Sequence, residues 1–186
     1  MSTFRTLLVL VVATGLWACD GANTLAPATS ANFVDSTQIS ALTGTPLGEP
    51  SAFSIVDRST VRTDRSAAFD FAFDIDADGQ PVLLPLVVLG IPSSSGVNSG
   101  LQHADDDFDD ISVARQNGYI TDSSVVVAAG DVLYARSRLA CSGLGVPQYA
   151  KLEITDIDPD NRRIRFRYLA NNNCGYRGLQ PGVPEE

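Results

Sequence analysis

The sequence predicts an all-β domain: a single antiparallel β-sheet unit, sandwich or barrel-like, with one short helix. Three observations point there. Phe69, Phe71, Phe73 and Ile75 recur at every second residue with small or polar residues between them, the period of a half-buried strand. Residues 149–157 and 163–170 alternate in the same way on either side of an Asp-Pro-Asp-Asn turn, which reads as a hairpin. Turn residues punctuate the remaining apolar runs at short intervals, as in all-β domains. A chain of 186 residues favours one domain, and a domain of ~150 residues buries ~68–70% of its unfolded surface.

Taken in order, Ala67 to Ile75 is the first clear strand, and Asp76-Ala77-Asp78-Gly79 is a turn signal. Val82 to Ile91 is an apolar run interrupted by Pro85, suited to a buried or edge strand, so the two segments form a hairpin. A Pro, Ser and Gly loop follows over 91–100. Leu101, Ala104, Phe108, Ile111 and Arg115 then fall at helical spacing. Asp105, Asp106 and Asp107 would sit near that helix's N-terminus, where its dipole favours negative charge, and Gly118 is its stop. Ser124 to Ala129, Val132 to Leu139, Tyr149 to Ile157 and Arg163 to Ala170 supply four more strands. In the last two, Ala150, Leu152 and Ile154 face the core with Ile164, Phe166 and Tyr168, and Lys151, Glu153 and an arginine row form a solvated face with cross-strand pairs.

The N-terminus reads as an export device. Arg5 supplies a positive start and Leu7 to Trp17 an apolar run, the layout of a secretory signal. That run is shorter than the ~20 residues needed to cross a bilayer. Leu16-Trp17-Ala18-Cys19 resembles the lipobox of bacterial lipoproteins, which implies cleavage before Cys19 and acylation of its thiol. Each buried acyl CH₂ contributes ~0.8 kcal/mol, so two or three chains anchor stably. From Asp20 to Pro50 the chain is rich in Ala, Thr, Ser, Asn, Gly and Pro, the composition of a linker. Phe33 and Val34 leave its far boundary open, because they could dock as a first strand. The expected organisation is a signal peptide over 1–18, a tether over 19–50, the β domain over 51–180 and a frayed tail over 181–186.

With Cys19 assigned to lipid, Cys141 and Cys174 remain, and in an oxidising compartment an even remainder reads as one disulfide. The alternatives are two free thiols or a metal pair, and no Cys-x-x-Cys accompanies them. The net charge of -9 has the same sign as phosphate backbones, which argues against nucleic acid as a partner.

Phe69-Asp70-Phe71-Ala72-Phe73-Asp74 and Tyr149-Ala150-Lys151-Leu152, with a hairpin ending in Phe166 and Tyr168, resemble strand motifs of the HmuY-like family of envelope lipoproteins. The resemblance covers about Phe69 to Tyr168 and implies an all-β fold and, in haem-capturing members, haem held between two axial side chains. His103 is the single histidine, and Met1 leaves with the signal, so one mature copy cannot supply two such ligands.

Two further candidates stand out. His103 beside Asp105 to Asp110 is the candidate ligand-binding residue and the one imidazole available as a general base. Asp74, Asp76 and Asp78, followed by Gly79, copy the first half of a calcium loop, but the twelfth position is Pro85 where a bidentate Glu belongs. They read as a metal site or as a plain hairpin turn. No Gly-x-Ser-x-Gly elbow is present. The expected function is therefore a non-enzymatic, lipid-anchored β domain on the periplasmic or cell-surface side of a membrane, binding a small ligand or an envelope partner. Haem capture, a structural or assembly role, and hydrolysis are the alternatives, with haem or calcium as the conceivable cofactors.

Overall fold

The computed structural model describes residues 26–93, 95–141 and 143–185. Its ten strands are β1 (Val34–Ser40), β2 (Ala52–Ser54), β3 (Ser59–Val61), β4 (Phe71–Ile75), β5 (Pro81–Pro85), β6 (Gly100–His103), β7 (Val125–Val126), β8 (Val132–Cys141), β9 (Val146–Asp158) and β10 (Arg163–Asn171). They form two five-stranded sheets, ordered β1-β10-β9-β8-β6 and β3-β2-β4-β5-β7, and every strand pairing is antiparallel. The all-β sandwich expected from the sequence is the fold observed.

Alternation makes the core. Phe53, Phe71 and Phe73 of one sheet meet Leu152, Ile154, Ile164, Phe166 and Tyr168 of the other. The Phe53 ring lies 5.3 Å from Phe166 and 4.7 Å from Tyr168, both edge-on, the arrangement that ring quadrupoles favour. Phe69 is not on this face. It precedes β4 and packs with Ala52, Ala72 and Leu86 on the outer side of the sheet, because the chain turns at Asp70.

Turn chemistry sets the hairpin registers. Gly79 has φ 79°, a conformation that only glycine adopts at no steric cost, and Asp76 Oδ1 accepts from the amides of Asp78 and Gln80 at 2.9 and 2.8 Å. Asp158 holds the β9–β10 turn by accepting from Asn161. Pro85 ends β5, and a 3-10 turn over Leu86–Leu89 follows, so the apolar run over 82–91 is half strand and half turn.

That turn is the helical element the structure describes; the helix expected over 101–115 is absent. Gly100–His103 instead pairs with β8, and the Asp105–Asp110 stretch forms tight turns. The spacing of Ala104, Phe108 and Ile111 has another cause: Phe108 and Ile111 join Ala114, Tyr134, Tyr149 and Leu169 in a second core on the outer face of the sheet, with Ala104 packed against it. Lys151 binds this cover down. Only 2% exposed, it donates from Nζ to the carbonyls of Phe108 and Ile111 at 2.7 and 2.8 Å, and burial pushes its pKa below the ordinary lysine value. Lys151 was expected on a solvated face, but a folded loop covers that face. Lys151→Met should leave both carbonyls without a donor and cost about 2 kcal/mol, read as a lower urea midpoint with earlier proteolysis within 104–114.

The segment expected as a tether is folded from Ala28 onward. Ala28 N donates to the Tyr176 hydroxyl, the amides of Thr29 and Ser30 donate to Asn173 Oδ1, and β1 runs along β10 over its whole length. An edge strand buries one face at most, so an apolar repeat is not required of it. Ser, Thr and Gln serve here because backbone bonds carry the pairing. The expected tail is held in part, since Gly182 exchanges backbone hydrogen bonds with Asn32 at 2.7 and 2.9 Å.

Candidate functional site

At one end of the sandwich a buried carboxylate ties the two sheets together. The β8 ladder shifts register between Arg136 and Leu139, and such a bulge leaves backbone groups without ladder partners. Asp70, entering β4 from the opposite sheet, fills the gap. Its Oδ1 accepts from Arg138 N at 2.7 Å and from the Arg138 guanidinium at 3.1 Å, and its Oδ2 accepts from Ile55 N at 2.7 Å. Burial, the largest influence, pushes the Asp70 carboxyl above its usual range, while Arg138 and the two amides pull it back. Ser137 completes the bulge, accepting from Gln148 N and donating to the Arg138 carbonyl.

Arg138 is thereby fixed, its Nη1 by Asp70 and its Nη2 3.8 Å from the exposed Asp57. Its side chain is 22% exposed, while that of Asp70 is 0% exposed. Arg138 also lines a groove of about 310 Å³ walled by Ala67, Leu86, Ile91, Pro92 and Leu139. Five apolar or small side chains around one anchored cation make a place for an apolar body carrying an anionic group. A larger groove of about 580 Å³ runs along the C-terminal segment past Ser112, Gly178, Gln180 and Pro181. It offers mostly polar surface and no cation held in place, so the smaller groove is the better candidate.

The residues singled out from the sequence are not gathered there. Cys19 lies outside the described residues. Cys141 and Cys174 are joined in a disulfide with Cα atoms 5.8 Å apart, as expected. His103 sits at the opposite end of β8 from Arg138, paired with Leu133. It is exposed; its Nε2 donates to the Val126 carbonyl at 3.1 Å, and its Nδ1 lies 3.9 Å from Asp131. His103 therefore shares no cavity with the groove.

Asp74, Asp76 and Asp78 do not converge. Asp74 accepts from Thr43 and Arg162, Asp76 caps its own turn, and among the described residues no group of three or more His, Cys, Asp or Glu is placed to hold a metal ion. These carboxylates serve the hairpin turn and the sheet-to-sheet contact at Arg162. In the acid cluster, Asp109 lies 3.2 Å from Arg167, and Arg167 pairs with Glu153 across the strands, so one guanidinium offsets part of the charge of two carboxylates.

Asp70 and Arg138 escaped the sequence reading. An acid between Phe69 and Phe71 looks like the solvated face of an alternating strand, and its partner lies 68 residues away. Comparison of the chain with protein-family models, curated proteins and solved structures finds no match.

Proposed function

We propose that this chain is a bacterial envelope lipoprotein, acylated at Cys19, whose β-sandwich is a non-enzymatic binding module for a small amphiphilic anion. One observation carries the binding half: an arginine anchored by a buried carboxylate on the wall of an apolar groove. Ordering Arg138 in advance lowers the entropy lost when an anion docks on it. The groove volume falls at the lower end of the ~300–1,000 Å³ typical of ligand sites. The interior is filled by the Phe53, Phe71, Phe166 and Tyr168 rings, so a ligand belongs at the periphery. A binding role also fits Asp70, whose two oxygens are already engaged, and His103, which is far from the groove. On the sequence side, the lipobox-like Leu16-Trp17-Ala18-Cys19 and the HmuY-like strand motifs support an envelope lipoprotein.

Dodecanoate is a suitable probe, with an apolar chain for Ile91 and Leu139 and a carboxylate for Arg138. Calorimetric titration should give saturable binding to the wild-type domain and none to Ile91→Asp, which places a negative charge in the groove and leaves the Asp70–Arg138 pair untouched. Equal heats for both proteins, or none for the wild type, would remove the groove as the site.

A further inference from the structure

The register fixes which structural features share an end of the molecule. The end of β8 at Cys141, the start of β9 at Val146, the end of β10 at Asn171 and the start of β1 at Val34 lie together. The disulfide closes this end, and the first described residues are strapped across it: Ala26, Pro27, Thr29 and Ser30 share one hollow with Leu144 and Asn173. Whatever conformation residues 20–25 adopt, seven residue steps separate Cys19 from Ala26, and at ~3.3–3.6 Å per residue they cannot span more than about 25 Å. The 13-residue strand β9 is about 40 Å long at ~3.3 Å per residue. The chain between the anchor and the domain is therefore shorter than the domain is long.

We infer that the disulfide end of the sandwich faces the bilayer and rests on it, with Leu144 foremost. This inference rests on the acylation of Cys19 proposed above. The opposite end cannot turn toward the membrane, because the strapped end would then have to stand about 40 Å away on a leash of about 25 Å. Surface chemistry agrees with the geometry. Leu144, Phe33 and Ile91 are exposed apolar side chains at or beside the near end, 54%, 49% and 37% exposed. Arg58 stacks over the Phe33 ring at 4.7 Å, and the exposed Asp57 sits 3.8 Å from Arg138. Exposed carboxylates occur at both ends, Asp35 and Asp57 at the near one and Asp76, Asp78 and Asp160 at the far one, and the last three, in the β4–β5 and β9–β10 turns, are kept from an anionic headgroup layer. The groove lined by Leu139 and Ile91 lies toward the same near end of β8, the part of the domain an amphiphile leaving the bilayer would meet first.

Tryptophan reports the orientation directly, because the mature chain has none once Trp17 is removed with the signal. Leu144→Trp marks the near end and Leu47→Trp, at a site 78% exposed, the far end. Full-length protein would be produced with an alkyne fatty acid, scored for label on Cys19, and placed in phosphatidylethanolamine/phosphatidylglycerol vesicles with brominated acyl chains. In labelled protein the tryptophan at 144 should lose about half its emission relative to unbrominated vesicles, as for a side chain at the headgroup boundary, and the one at 47 should lose none. Ile91→Trp is the second near-end reporter should the first variant fold poorly. Equal quenching at both ends, or none at the near end, in protein that does carry the label, overturns the orientation and leaves the anchoring intact. Protein without label on Cys19 fails the anchoring itself, and the orientation with it.

Discussion

Replacing Asp70 with alanine is expected to destabilise the domain by about 3–5 kcal/mol, the range for removing one partner from a buried ion pair. The loss has three parts. Arg138 keeps a partly buried guanidinium with no carboxylate beneath it, and the amides of Ile55 and Arg138 lose the acceptors they hold at 2.7 Å. A buried donor left unpaired costs its full desolvation. Asp70→Asn separates these contributions. The amide keeps an acceptor for one backbone N–H but turns a donor toward the other, so its cost should fall between those of the wild type and alanine. Urea unfolding of the three proteins gives the order. An Asp70→Ala domain as stable as the wild type would mean that the bulge in β8 does not depend on this carboxylate. The same variant should lose dodecanoate binding, because Arg138 is then free to leave the groove wall.

Cys141→Ser with Cys174→Ser should cost about 3–4 kcal/mol from chain entropy alone, given a separation of 33 residues along the sequence. The consequence is local as well as global. Asn173, next to Cys174, receives the amides of Thr29 and Ser30 and donates to the Ser30 carbonyl, so the strap depends on a segment the disulfide holds. Hydrogen exchange at Thr29 and Ser30 should therefore rise more than exchange in the β9–β10 hairpin. Uniform acceleration across the domain would show that the cross-link acts only on global stability.

What the sequence disclosed follows from how far each interaction reaches. The β9–β10 hairpin was legible because alternation and turn residues are local, and Asp158 and Asn161 form their bonds within the turn itself. The disulfide was legible because the expected lipid on Cys19 left two cysteines to pair in an expected oxidising compartment. Ala104, Phe108 and Ile111 misled because a spacing of three to four residues suits a helix and suits equally a loop that lays such side chains on a sheet. Only Lys151, about forty positions away in the sequence, decides between them. Strand β1 was legible only at its start, where Phe33 and Val34 offered a docking strand; the rest of an edge strand is held by backbone bonds, which polar side chains leave unmarked. The candidate site was the least legible of all. Its carboxylate resembles a surface residue, its arginine sits at a bulge, and its walls come in part from the segment after Pro85, whose path no local pattern encodes.

The orientation on the bilayer rests on the proposed acylation of Cys19. Intact-mass measurement of protein extracted from the membranes of a lipoprotein-processing bacterium tests that most directly. The account predicts a chain beginning at Cys19 and heavier than its amino-acid sequence by a diacylglyceryl group, with or without an additional N-acyl chain. A chain that begins elsewhere, or one that begins at Cys19 with the mass of an unmodified thiol, would contradict it.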